Sequence, residues 1–329
     1  MTFLILIIGL VLIFDFINGF HDSANSIATI VSTRVLSPIA AVIMAAFCNF
    51  MAFTIFPLKV AHTMGNGVIN PDAQNMTVIA SALVAAIIWN LATWWWGLPS
   101  SSSHTLVGGL IGAAYVHSGV SGIIFSGVLK ITAFIVIAPL IGMLTSFIIS
   151  TVVVWLCRKH SPSNVDKLFR RIQILSASLF SLGHGGNDAQ KSMGIIWLAL
   201  ILKGLATTED PIALWIILSC QSAIALGTLF GGWRIVKTMG QKITKLKPFE
   251  GFCAETSGAL TLFLATHFGI PVSTTHTITG AIIGVGARKG VSAVKWGVTT
   301  KIFWSWVLTI PISATIGAGM YFFFNWIFL

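Results

Sequence analysis

The sequence predicts an all-α polytopic membrane protein made of two inverted-topology repeats, each with a broken first helix and a helical hairpin with a hydroxyl-rich tip. Three observations carry this expectation: the composition, a long-range repeat, and the distribution of cations over the two copies. Hydrophobic residues are 56% of the 329, charged residues are 9%, and the mean hydropathy is +0.91. An average soluble domain has about 25% charged residues. Apolar stretches near 3–17, 39–58, 76–97, 105–116, 128–156, 172–182, 193–202, 212–233, 252–268, 277–287 and 302–329 follow one another closely. Several approach the roughly 20 residues that a helix needs to cross a bilayer. The shorter ones suit half-helices or hairpin arms, and a β-barrel would instead show alternating segments of about 10 residues.

Residues 3–14 have the apolar core of a signal peptide, but no Lys or Arg precedes them and Asp15 stands where a small-residue cleavage site would come. They read as the first transmembrane helix. Cys48, Cys157, Cys220 and Cys253 lie too far apart for a disulfide framework or a metal-ligand set and read as packing residues. The net charge of +10 resides mostly in loops beside apolar helices, with no nucleic-acid motif, so it reports topology.

The repeat comes next. Asp22 in GFHDSANS matches Asp188 in GGNDAQKS, 166 residues on. Thr63-Met64-Gly65 recurs as Thr238-Met239-Gly240, Leu91-Ala92-Thr93 as Leu264-Ala265-Thr266, PSSSSHTLVGGLIG (99–112) as PVSTTHTITGAIIG (271–284), and Pro139 as Pro311. Five blocks in one order mean a duplication. It divides the chain into a first repeat, 1–156, a basic linker, 157–171, and a second repeat, 172–329. The loop after the second helix holds Lys59 in the first copy but Arg234, Lys237, Lys242, Lys245 and Lys247 in the second. Residues 115–127 hold no Lys or Arg, whereas 287–297 hold Arg288, Lys289 and Lys295. Lys and Arg accumulate on the cytoplasmic side, so equivalent loops lie on opposite faces. The linker is then cytoplasmic and both termini are outside the cell membrane.

Inverted repeats are an architecture of secondary transporters, with sites near the midplane where broken helices expose backbone amides. Asn18–Asp22 and Gly183–Asp188 read as such breaks, because glycine tolerates unwound backbone while Asp and Asn offer hard oxygens for a small cation or a site for a proton. A charge at mid-membrane costs about 2.5–3.5 kcal/mol even on lenient scales, and this one occurs twice. Asp22, Asn25, Asn187, Asp188, Gln190 and Glu255 are therefore the candidates for a coupling ion or proton. Lys191 stands three residues after Asp188, at the spacing of a helical ion pair.

The second break follows Pro99 and Pro271. Ser101, Ser102 and Ser103, matched by Ser273, Thr274 and Thr275, cap a helix and add rotatable O–H donors to its free N–H groups. Donors without fixed charge suit an oxyanion that is bound and then released, and three hydroxyls exceed what one cap needs. His21, His104 and His276 are candidates for a proton relay or for fixing loop geometry. Gly108, Gly112, Gly280 and Gly284 form small-residue faces for helix packing. GGNDAQKS has the rough outline of a phosphate-binding loop, but Gln190 replaces its second glycine and no strand precedes it, which argues against a nucleotide hydrolase.

NGFHDSANSIAT, GHGGNDAQKSMG, GLPSSSSHTLVGGLIG, GFCAETSGAL and GIPVSTTHTITGAIIGVG together resemble the inorganic phosphate transporter (PiT) family over nearly the whole chain, most closely its bacterial low-affinity branch. The resemblance implies phosphate import driven by protons or sodium, with no cofactor beyond the coupling cation and no resident metal. The branch implies proton coupling and acceptance of a metal-phosphate complex. Family members carry Asn-Asp in each repeat; here the second has Asn187-Asp188 but the first has His21-Asp22. Sodium-coupled relatives often bear a glutamate on the second helix of each repeat, where this chain has Asn49 and Gln221.

Rivals weigh less. A Ser-His-Asp hydrolase needs one asymmetric constellation, whereas the hydroxyl runs are matched. An anion channel would want more intramembrane cations. Sulfate is the nearer competitor, although a hydroxyl-rich site could accept a hydrogen bond from protonated phosphate that sulfate cannot give. The expected partners are phosphate, the coupling cation and lipid, with no nucleic acid and with a homo-oligomer allowed.

Overall fold

The apolar segments fold as helices, and the computed structural model describes residues 1–328. They are α1 (Thr2–Ser32), α2 (Pro38–Met51), α3 (Lys59–Asn66), α4 (Met76–Trp96), α5 (Ser102–Ser118), α6 (Phe125–Cys157), α7 (Pro162–Leu202), α8 (Leu214–Phe230), α9 (Trp233–Lys237), α10 (Pro248–His267), α11 (Thr274–Lys289) and α12 (Trp296–Phe328). No strand forms among the described residues beyond an isolated pairing of Ile69 with Ile123. Starts are written in the sequence: Ser37 before Pro38, Asn75, Ser101, Ser161 before Pro162, and Ser273 each accept a backbone N–H from the first turn. Gly97, at φ 66°, ends α4 in the left-handed conformation that glycine enters without steric cost. α1, α4, α6 and α12 are each long and apolar enough to cross a membrane, and α8 with α9 forms a fifth such unit bent by 60°.

One expectation is corrected here. The first helix of each copy is not broken: α1 runs unbroken through Asn18–Asp22, and α7 through Gly183–Asp188. The glycines serve close approach instead. A Cβ on Gly19 would overlap the backbone of Ile224 in α8, one on Gly185 the backbone of Asn49 in α2, and one on Gly186 the Phe56 ring. The basic linker is also mostly helix, because Ser161 and Pro162 start α7 there and leave only 158–161 outside it.

The copies interlock. α6 lies on α10 and α11, and α12 lies on α4 and α5; α1 packs on α8, and α7 on α2. α1 and α7 cross at the centre, each backing the hairpin of its own half, α4 for α1 and α10 for α7. Every pairing thus has its counterpart. The small-residue faces make the exchange possible: Gly108 and Gly112 meet the α12 backbone at Ile310 and Ala314, while Gly280 and Gly284 meet that of α6 at Pro139 and Met143.

The α4–α5 hairpin opens beside the start of α6, where Ile124 N–H donates to Val68 O (3.0 Å) and Asn70 N–H to Gly122 O (2.9 Å). The α10–α11 hairpin opens at the other end of α6, where Arg158, Phe249, Glu250 and Arg288 share a recess. Basic residues gather at that second end. Lys245, Lys289 and Lys295 adjoin it, Lys289 pairs with Glu250 at 2.8 Å, and Arg170 donates to the carbonyl of Arg34.

Filling one contact should undo the exchange: Gly112→Leu or Gly280→Leu forces side-chain atoms into a facing backbone. Each should lower stability in detergent by about 1–3 kcal/mol or more, seen as an earlier thermal unfolding transition, while Gly319→Leu, at an open position, should not.

Candidate functional site

The two hairpins enter from opposite ends and meet at their tips. Ser101 and Ser273 are the caps, accepting the N–H groups of His104 (3.3 Å) and His276 (3.2 Å). Capping therefore accounts for one hydroxyl per run and leaves two. The first amides of a helix have no intrahelical acceptor, so each tip also presents backbone N–H groups beside those hydroxyls.

Three of the four remaining hydroxyls turn onto the carboxylates of α1 and α7. Ser102 donates to Asp22 Oδ2 (3.2 Å) and Thr275 to Asp22 Oδ1 (3.4 Å); Thr274 donates to Asp188 Oδ2 (3.2 Å). Each central helix also reaches the opposite hairpin from the position three residues past its aspartate. Asn25 Nδ2 donates to Thr275 (2.9 Å) and Thr274 (3.3 Å), and Lys191 Nζ to Ser103 (2.5 Å) and the Val272 carbonyl (2.9 Å). Lys191 simultaneously pairs with Asp188 Oδ1 at 2.6 Å, the helical pair that the spacing suggests. All of these side chains are buried.

The residues before the aspartates anchor hairpins. His21 Nδ1 donates to Asp22 Oδ1 (2.6 Å) and its Nε2 stands 3.2 Å from Thr93 on α4; Asn187 Nδ2 donates to Thr266 on α10 (3.1 Å) and to the Ile270 carbonyl (3.3 Å). His104 and His276 do not bond the loops with their rings. They face each other with centroids 4.8 Å apart, and His276 also lies on Trp306 at 4.1 Å.

Two candidates stand apart. Gln190 ties α7 to the start of α3, accepting from Val60 and Ala61 and donating to the Pro57 carbonyl. Glu255 accepts from Thr29 (2.6 Å), Gln173 (2.9 Å) and Ser176 (2.5 Å). Thr29 is seven residues beyond Asp22 on α1, roughly 10 Å at 1.5 Å per residue.

Sequence reasoning missed His184, Thr93 and Thr266. His184 Nδ1 donates to Asn49 Oδ1 (3.1 Å), its Nε2 stands 3.3 Å from Asp188 Oδ2, and Asp22, His184 and Asp188 bring one ligand atom each within 4.8 Å of one another. Such a trio can surround a cation. The counterpart of His184 166 residues earlier, Asn18, differs in type, so the repeat gave His184 no emphasis. Thr93 and Thr266 were already visible as the matched Leu-Ala-Thr blocks.

Comparison with known proteins decides the family. The phosphate transporter family matches residues 18–317, nearly the whole chain. The chain belongs to the phosphate transporter family. A probable low-affinity inorganic phosphate transporter of Rhizobium meliloti is 57% identical over 320 residues, 96% of each chain; one from Bacillus subtilis is 45% identical over 326 residues, 98% of each. A solved structure, "The sodium-dependent phosphate transporter", superposes with a TM-score of 0.89 at 29% identity over 100% of both chains. The resemblance read from the motifs is the family found. In this phosphate transporter family member the matched tips bring hydroxyls, helix N-terminal amides and Lys191 together beside two carboxylates.

Asp22→Asn should abolish phosphate uptake into proteoliposomes at equal protein content. Asp188→Asn should do so too, and should also lose about 3–5 kcal/mol of stability because it strands the buried Lys191; adding Lys191→Met should return stability without returning uptake. Ser102→Ala and Thr274→Ala should each raise KM or lower kcat, each hydroxyl being worth about 1–3 kcal/mol to a desolvated ligand. Normal transport by both would leave the hydroxyls only a structural use.

Proposed function

We propose that this chain imports inorganic phosphate by proton symport, from two inverted copies of one fold whose hairpin tips close on the anion. The observation that carries the reading is the double use of the hydroxyls. Ser102, Thr274 and Thr275 donate to Asp22 and Asp188, so the donors an oxyanion needs are held by carboxylates that would repel it. Neutralising the carboxylates releases the donors and removes the repulsion in one step. At an effective dielectric near 20, two unit charges 4 Å apart interact by about 4 kcal/mol, enough to make anion and cation bind as a unit.

Several features favour the proton. Asp188 already has the Lys191 ammonium at 2.6 Å, which leaves it little uncompensated charge for sodium, and Asp22 accepts from His21 at 2.6 Å. Asn49, where sodium-coupled relatives often have glutamate, is occupied by His184 and Thr228. The basic residues at the end of the molecule bearing Arg158, Lys289 and Lys295 support a cytoplasmic assignment for that end and external termini. Asp22, His184 and Asp188 could also take the divalent ion of a metal-phosphate complex.

Sodium coupling is the second reading, favoured by the name of the solved neighbour. Uptake in sodium-free vesicles separates the two. It should persist with an inward proton gradient and collapse with a protonophore; uptake that needs sodium and survives the protonophore would overturn proton coupling while leaving phosphate transport intact.

A further inference from the structure

A second polar cluster lies on α1 about two turns from Asp22, away from the hairpin tips. Asp15 is completely buried, and neither carboxylate oxygen has a hydrogen-bond partner. It sits beside Ser192 on α7 and Cys220 on α8. Ser192 Oγ has no partner either. Asn18, one turn along α1, has an unpartnered Oδ1, and Gln221, next to Cys220, has both amide atoms unpartnered. All four side chains are at most 1% exposed. Buried polar atoms are nearly always satisfied, and Asp15 and Asn18 on α1, with Ser192 on α7 and Gln221 on α8, are exceptions to that rule.

The other half of the molecule supplies an internal comparison. The positions matching Asn18 and Gln221 are His184 and Asn49, and there the polar atoms satisfy one another: His184 donates to Asn49, and Asn49 to Thr228. The position matching Asp15 is Ser181, whose hydroxyl donates to the Ala177 carbonyl. The same corner of the fold is linked by side-chain hydrogen bonds in one half; in the other it holds a buried carboxylate.

We propose that Asp15, with Asn18, Ser192 and Gln221, forms a proton-binding site separate from the phosphate site, and that it carries a coupling proton additional to the neutralisation of Asp22 and Asp188. This rests on the symport reading above. The other buried acids are engaged: Asp22 by His21 and hydroxyls, Asp188 by the Lys191 ammonium and a hydroxyl, Glu250 by Lys289 and the Lys247 N–H, and Glu255 by three donors. Asp15 has no cation in contact. Uptake of a proton converts its carboxylate to a carboxylic acid whose O–H can donate to Asn18 Oδ1 or Gln221 Oε1; on release, the Ser192 hydroxyl and Gln221 amide can donate to the anion. The cluster thus serves both states, as a reversible site must. The titratable and charged groups facing Asp15 are Asp188 and Lys191 on α7 and Cys220 on α8. α4 carries none, and α2 only Cys48. Asp188 and Lys191 connect the site electrostatically to the tip that Lys191 holds through Ser103.

The test uses the purified protein in proteoliposomes with two readouts: accumulation driven by an inward proton gradient, and phosphate-for-phosphate exchange without a gradient. Exchange needs the anion site and its alternation but no net proton movement. Asp15→Asn should lower gradient-driven accumulation by about tenfold or more, the scale of a lost coupling energy, with exchange changed by less than about twofold. Asp15→Glu should restore accumulation with a displaced pH profile. Wild-type accumulation by the Asn variant, or parallel loss of exchange in both variants, would overturn the proposal. Infrared difference spectra between acid and alkaline pH provide an independent readout: one component of the wild-type protonated-carboxyl band should be missing from Asp15→Asn. An unchanged band would also overturn the site. If the wild type ignores the proton gradient, the symport reading fails, and with it the coupling role, while the infrared band still decides whether Asp15 binds a proton.

Discussion

The ion pair between Asp188 and Lys191 is the interaction on which the rest of the centre depends. Each charge alone would be strongly unfavourable in an apolar interior, and their attraction offsets the desolvation only when the remaining lone pairs and protons are also used. They are: His184 and Thr274 face Asp188, and Ser103 and the Val272 carbonyl take the other Lys191 protons. The pair therefore fixes both hairpin tips at once. Asp22 repeats the arrangement with His21 as the nitrogen partner and Asn25 as the arm reaching across. The asymmetry is confined to a few side chains on a common scaffold.

That asymmetry has chemical consequences. With Lys191 matched by Asn25, one side of the centre carries a fixed positive charge directed at a hydroxyl and the other a neutral amide. On the proposed reading, an anion between the tips would meet charge from α7 and dipoles from both hairpins, without the cationic cage that would make release slow. The His104 and His276 rings, both buried, lie against each other just past the capping hydroxyls.

Much of this was legible in the residues. Composition gave the solvent, and matched blocks gave the duplication, the hairpins and the positions of Asp22, Asp188, Ser102 and Thr274. What failed was the inference from glycine to unwound backbone. Glycine at Gly19 or Gly185 reports missing side-chain volume as readily as conformational freedom, and only the partner helix tells which is used; here α8 and α2 occupy the space. Glu255 and Gln190 were grouped with the centre because each is a polar residue in an apolar run, a property of one segment. Their actual partners, Gln173 and the α3 amides, come from distant parts of the chain and leave no local signature. Asp15 was passed over for the opposite reason, since an acid near the end of an apolar stretch looks like a loop residue until the helix is seen to continue to Ser32.

The crossed packing of the two halves bears on how the chain is made. α5 presents glycine faces that only α12 covers, and α12 is synthesised nearly two hundred residues later. Until then the first hairpin stands in the bilayer with its tip hydroxyls and small-residue groove unmatched, while α6 waits for α10 and α11. Helices can insert one after another, but the centre cannot assemble stepwise. The nascent protein must remain a loose set of spans, dependent on lipid or on the insertion machinery for cover, until the second copy emerges and both hairpins lock in a single late event.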